Sequence, residues 1–119
     1  MQLVDVRVAY VIALMKRHRA APLRVDQLAQ SVNLSPSYLT RLFQEATGQS
    51  PAQFDKTRRL DQARMLILRT FLTVKEVMAE VGWSDPSHFS RDFRRRFGVS
   101  PRGLRFGSRA ATESVRRRR

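Results

Sequence analysis

A chain of 119 residues with a formal net charge of +13 and a pI near 11.7 suits one domain, or two very small ones sharing a linker. With 42% hydrophobic residues it can bury a core, which excludes global disorder. The absence of cysteine excludes disulfide stapling and thiol chemistry and fits a reducing cytosol. The positive excess points to DNA, RNA or an anionic membrane surface as the partner.

The apolar run from Val8 to Met15 is too short to span a bilayer, which needs roughly 20 apolar residues. Asp5 upstream and the lack of a small-residue cleavage pattern argue against a signal peptide, so the run predicts a core helix. Downstream, apolar residues recur at three- and four-residue steps with no sustained alternation, so every element reads helical. Four prolines follow a capping residue: Ser35-Pro36, Ser50-Pro51, Asp85-Pro86 and Ser100-Pro101. A Ser or Asp cap accepts from free backbone N–H groups, and proline in the first turn gives up no hydrogen bond. Ser50 with Gln53 and Thr73 with Glu76 also have capping-box spacing. The predicted helices run over about Leu3–His18, Val25–Val32, Pro36–Thr47, Pro51–Leu68, Val74–Val81 and Pro86–Phe97, with a short turn from Pro101. Beyond Gly107 the composition shifts to Ser, Ala and Arg, and residues 108–119 predict a basic disordered tail.

The chain repeats itself. Leu28-Ala29…Val32-Asn33-Leu34-Ser35 is echoed by Val77-Met78…Val81-Gly82-Trp83-Ser84. After one extra residue, Asp85, the segment Pro36-Ser37-Tyr38-Leu39-Thr40-Arg41…Phe43 is matched by Pro86-Ser87-His88-Phe89-Ser90-Arg91…Phe93. Gly48…Ser50-Pro51 and Gly98…Ser100-Pro101 close the two copies. Each copy predicts a short helix, a tight turn and a longer helix. Asn33 and Gly82 stand at the turn, where a left-handed conformation is needed.

In the longer helices Leu39, Leu42 and Phe43 share one face, as do Phe89, Phe93 and Phe97; both stripes predict core. The opposite face carries Ser37, Thr40, Arg41 and Gln44 in the first copy and Ser87, Ser90, Arg91, Arg94 and Arg95 in the second. Short polar side chains and arginines suit a surface that meets base edges and phosphates. Between the copies, Pro51 to Leu68 would form a helix of roughly 27 Å at about 1.5 Å per residue. Such a rod could separate two readers of successive major-groove segments, roughly 34 Å apart. Leu60, Ala63 and Ile67 are spaced to pack inward.

From about Leu23 to Arg105 the chain resembles the DNA-binding region of the AraC/XylS family of bacterial transcription regulators. The most specific stretch is Val81-Gly82-Trp83-Ser84-Asp85…Ser87…Phe89-Ser90-Arg91…Phe93, continued by Phe97-Gly98…Ser100-Pro101. The linker helix contributes Arg59-Leu60…Ala63…Leu66. Four residues depart from the family pattern: Met78 for a small Ala, Trp83 for Phe, Leu104 for Tyr, and Arg24 where a helix cap is usual.

The resemblance implies an all-α fold in which two helix-turn-helix subdomains, residues 1–50 and 70–107, are joined by a linker helix over 51–69, about seven helices in all. It implies that Ser37, Thr40 and Arg41, and Pro86, Ser87 and Arg91, face bases, with Arg41 and Arg91 able to form bidentate contacts to guanine. Gln44, Ser50, Ser90, Arg94, Arg95, Arg102 and Arg105 are expected at phosphates, helped by the helix N-termini at Pro51 and Pro101. Residues 1–22 are too few for a sensor domain, so the chain is similar either to stand-alone members or to a piece of a longer regulator; a stand-alone member would read an asymmetric site as a monomer. The expected partners are double-stranded DNA and RNA polymerase, without a membrane, in the cytoplasm and associated with the nucleoid.

No enzyme is expected. His18 and His88 are far apart, no metal-spaced cluster or activated nucleophile accompanies them, and no glycine-rich phosphate loop is present. No cofactor and no metal are therefore expected. Charge-driven, sequence-blind binding to nucleic acid is the main alternative, and a membrane-surface helix is a second.

Overall fold

The computed structural model describes residues 5–18 and 20–107. All regular elements among them are helices: α1 (Val6–Arg17), α2 (Val25–Ser31), α3 (Pro36–Thr47), α4 (Pro51–Arg69), α5 (Val74–Val81), α6 (Pro86–Phe97) and α7 (residues 101–107). The all-α expectation therefore holds, and the bounds of α3, α5 and α6 match those predicted. The expected tail at 108–119, and the expected helix start at Leu3, lie outside the described residues. α1 begins at Val6 because Asp5 caps it, its carboxylate accepting the Arg7 amide at 2.9 Å. The short turn predicted from Pro101 is a helix through residue 107, capped by Ser100 Oγ, which accepts the Gly103 amide at 2.9 Å.

Local chemistry explains the other ends. Ser50 and Gln53 exchange both bonds of a capping box at 3.1 and 3.2 Å, as do Thr73 and Glu76 at 3.0 and 3.1 Å. Arg24 offers α2 no side-chain cap. Asn33 (φ 58°) and Gly82 (φ 74°) take the left-handed conformation at the two helix-turn-helix corners.

The chain forms two compact units that divide between Arg58 and Arg59, inside α4. The core of the first is Val8, Val11 and Met15 of α1, Ala29 of α2, and Leu39 and Phe43 of α3. Phe54 from the start of α4 closes it, edge-on to Phe43 at 5.2 Å between ring centres. The core of the second is Leu60, Ala63 and Ile67 of α4, Val77, Met78 and Val81 of α5, and Phe89 and Phe93 of α6. Trp83 packs edge-on to Phe89 at 5.6 Å, and Leu104 of α7 packs against the same cluster. Three of the four departures from the family pattern, Met78, Trp83 and Leu104, are thus absorbed as apolar packing.

Two arginines hold the second unit from inside. Arg59, only 6% exposed, donates from Nη1 to the carbonyls of Val81 and Gly82. Those carbonyls end α5, where the helix supplies no further amide. Arg105 does the same for the end of α4: its guanidinium donates to the carbonyls of Ile67, Thr70 and Leu72.

Candidate nucleic-acid interface

Within the first unit, α3 starts behind Ser35, whose Oγ accepts the Tyr38 amide at 3.2 Å, and stops at Gly48 with φ 78°. Leu39 and Phe43 face the core, so the helical period turns Ser37, Arg41 and Gln44 to solvent. Thr40 is half-buried and its Oγ1 donates to the Pro36 carbonyl at 2.9 Å, leaving its lone pairs for an incoming donor. Arg41 lies 4.0 Å from Glu45, both well exposed, and its guanidinium carbon is 5.2 Å from the centre of the Tyr38 ring. Ser50 is half-buried, with its Oγ engaged as the cap of α4.

Within the second unit, α6 starts behind Asp85, whose carboxylate accepts the amides of Ser87 at 2.9 Å and His88 at 3.1 Å. Phe89 and Phe93 face the core, and Pro86, Ser87, Ser90, Arg91, Arg94 and Arg95 are exposed. None of Arg91, Arg94 and Arg95 has a carboxylate within ion-pair distance among the described residues. Arg96 is different: it turns to Asp61 and forms a two-pronged bond at 2.8 and 3.1 Å. Arg102 is exposed in the first turn of α7. Pro86, Ser90 and Arg102 come together along one groove of about 830 Å³, floored by Val74, Met78 and Trp83. Arg105, expected at a phosphate, is instead half-buried on the carbonyls that end α4.

The His88 amide, and then the other neighbours of Asp85, hold its carboxyl below the usual aspartate range. A pKa depressed by folding means stabilisation that is complete above the unfolded value and fades as pH falls through the lower folded value. The Ser87 and His88 amide resonances are therefore expected to shift together at a midpoint below that of free aspartate. Asp85→Asn keeps an acceptor at the cap and should abolish that titration. A midpoint at the free-aspartate position would show that the cap does not bind the carboxylate.

Sequence reasoning missed the Arg59 and Arg105 carbonyl bonds, the Asp61–Arg96 fork and a cluster at the start of α1. There Arg7 donates from Nε and Nη2 to Asp5 at 3.1 and 2.9 Å and lies 5.8 Å from the Tyr38 ring centre. The i to i+3 spacing of Tyr38 and Arg41 on one helix was the available signal.

Two repeats of short helix, left-handed corner and longer capped helix, each with a polar face to solvent, define a double helix-turn-helix protein. The sequence profile of a helix-turn-helix domain family matches residues 28–106. The transcriptional regulator CdhR of Pseudomonas aeruginosa is 38% identical over 95 residues, covering 80% of this chain and 28% of that protein. The transcriptional activator RhaS of Escherichia coli is 34% identical over 101 residues, covering 85% of this chain and 36% of RhaS. The structure of the AdpA DNA-binding domain in complex with a target DNA is similar, with a TM-score of 0.82, 31% identity and coverage of 88% and 95% of the two chains. An AraC-type regulator from Chromobacterium violaceum has a TM-score of 0.79, 29% identity and coverage of 86% and 91%. The chain belongs to the AraC/XylS family of helix-turn-helix DNA-binding transcription regulators. It spans about a third of the length of these two curated relatives. Among the described residues no helix is long and apolar enough to cross a membrane, and no group of His, Asp or Glu could hold a metal ion.

Proposed function

We propose that the chain reads duplex DNA at two successive major-groove segments, α3 in one and α6 in the next. The observation that carries this is the two-sidedness of both helices. Each gives its apolar face to its own core and turns an arginine and small polar side chains outward. In α3 the base-reading set is Ser37, Thr40 and Arg41, and in α6 it is Pro86, Ser87 and Arg91. Gln44, Ser90, Arg94, Arg95 and Arg102 take phosphates. Ser50 reaches phosphate through the helix start it caps rather than through its own hydroxyl. Arg105 leaves the phosphate set because its donors already serve carbonyls. Residues 1–50 and 70–107 act as the two readers, and the segment over 51–69 as the spacer between them.

Two different reading helices fit an asymmetric site bound by a monomer. The partners proposed are this DNA and RNA polymerase, in the cytoplasm at the nucleoid, with no catalytic role. Selection from a random duplex library should return two distinct motifs one helical turn apart. Arg91→Ala is expected to weaken binding to the selected duplex by about 1–3 kcal/mol and relax preference at one position. Arg95→Ala should weaken all duplexes alike and lower the log–log salt slope by about 1. Selected and random duplexes binding equally, with the same salt slope, would leave only charge-driven association.

A further inference from the structure

We propose that Tyr38 is a positioning residue for base recognition: its ring, held against Arg7, sets the direction in which Arg41 leaves α3. This rests on the base-reading role proposed above for Arg41.

The guanidinium carbons of Arg7 and Arg41 lie 5.8 and 5.2 Å from the centre of the same ring, within cation–π range. Arg7 is itself pinned. Its amide, Nε and Nη2 all donate to the Asp5 carboxylate, at 2.9, 3.1 and 2.9 Å. That fork draws the Asp5 carboxyl below its usual range and raises the Arg7 guanidinium, so the pair stays charged. Tyr38 is 37% exposed, so its ring is a rim residue and not part of the apolar core. A continuous set of contacts therefore runs from the cap of α1, through Arg7 and the Tyr38 ring, to Arg41 on the solvent face of α3.

Two cations beside one ring repel unless each has compensation. The ring supplies part, Asp5 neutralises Arg7, and Glu45 stands 4.0 Å from Arg41. The contact also restricts a long side chain before DNA arrives. A guanidinium already ordered loses less rotamer freedom when it forks onto a base, which strengthens discrimination.

The second copy is an internal comparison. His88 stands in the place of Tyr38, and its Nδ1 lies 3.5 Å from the Asp85 carboxylate at the cap. Arg91 has no ring contact among the described residues. Only the first reading helix carries the device, so its loss should affect only the motif that helix reads.

The test compares wild type, Tyr38→Phe, Tyr38→Ala, Arg41→Ala and the Tyr38→Ala/Arg41→Ala double variant on the selected duplex and on duplexes altered at single positions. Circular dichroism and thermal unfolding check that each variant remains folded. Tyr38→Ala should lose about 2- to 5-fold in preference at the position Arg41 reads, and none in the second motif. Tyr38→Phe should keep most of the preference, because it keeps the ring. In the Arg41→Ala background, Tyr38→Ala should have no further effect on preference. Full preference in Tyr38→Ala while Arg41→Ala loses it overturns the proposal and leaves base reading intact. An equal effect of Tyr38→Ala with and without Arg41 overturns it too, since that is the mark of a merely structural role. If Arg41→Ala retains every preference of wild type, base reading by Arg41 is itself lost, and the positioning role falls with it.

Discussion

Phe93→Ala is expected to lower the unfolding free energy of the second unit by about 3–5 kcal/mol, measured by urea denaturation. Phe93 is fully buried, with its ring centre 5.7 Å from that of Phe89 and 4.6 Å from that of Phe97. Truncation removes the transfer energy of a whole ring and leaves a cavity between aromatic neighbours, which relax only partly. It also removes two aromatic contacts worth about 0.5–1.5 kcal/mol each beyond their area. Small domains hold only about 5–15 kcal/mol in total, so this is a large share. Trp83 is the single tryptophan of the chain and packs on Phe89 in the same core, so its fluorescence reports this unit directly. A shift below about 1 kcal/mol would mean that the aromatic stack is not the centre of that core.

Arg59→Ala should destabilise the same unit by about 2–4 kcal/mol, read by the same fluorescence. Arg59 makes no contribution to the polar faces of α3 and α6, yet it is nearly inaccessible. Its guanidinium serves the Val81 and Gly82 carbonyls at the end of α5, at the corner that leads into α6. Removing it takes a charged donor from two carbonyls and empties the volume of a long side chain. Arg59→Lys restores charge and a donor but not the shape and reach of the guanidinium that puts Nη1 between the two carbonyls, and should recover only part of the loss. Hydrogen exchange should localise the effect, with the amides of Gly82 and Trp83 losing protection first. An Arg59→Ala variant within about 0.5 kcal/mol of wild type would show that water satisfies those carbonyls equally well.

These two residues differ in how visible they are from sequence. Phe93 belongs to a stripe with Phe89 and Phe97 at helical spacing, and such a stripe on an otherwise polar helix has one stable destination. Arg59 lies on no such stripe; the sequence marks it only as part of the linker pattern Arg59-Leu60…Ala63…Leu66, which does not say that it is buried. Its neighbours Arg58 and Arg64, and its own place in a basic helix, read equally well as a solvated face.

The same line divides the candidate interface. Its polar faces were legible, because they are what remains when the core stripe is subtracted from a helix. The individual duties of the arginines were not. Arg96 belongs to a run of three with Arg94 and Arg95, but it turns to Asp61. Arg105 faces carbonyls rather than solvent.

Sequence alone determined the helices, their caps and their corners, because these depend on residues three or four apart. Ser50 with Gln53, Thr73 with Glu76, and the left-handed Asn33 and Gly82 act over that range. It also determined the duplicated pattern, which requires only that each copy bury one face. Tertiary structure alone decided which cations are free to meet an anion and which are held inside. Arg59 finds its carbonyls 22 and 23 residues away, and Arg105 finds its own 33 to 38 residues away. A guanidinium has the same five donors in either setting, so its role follows from what the fold sets opposite it.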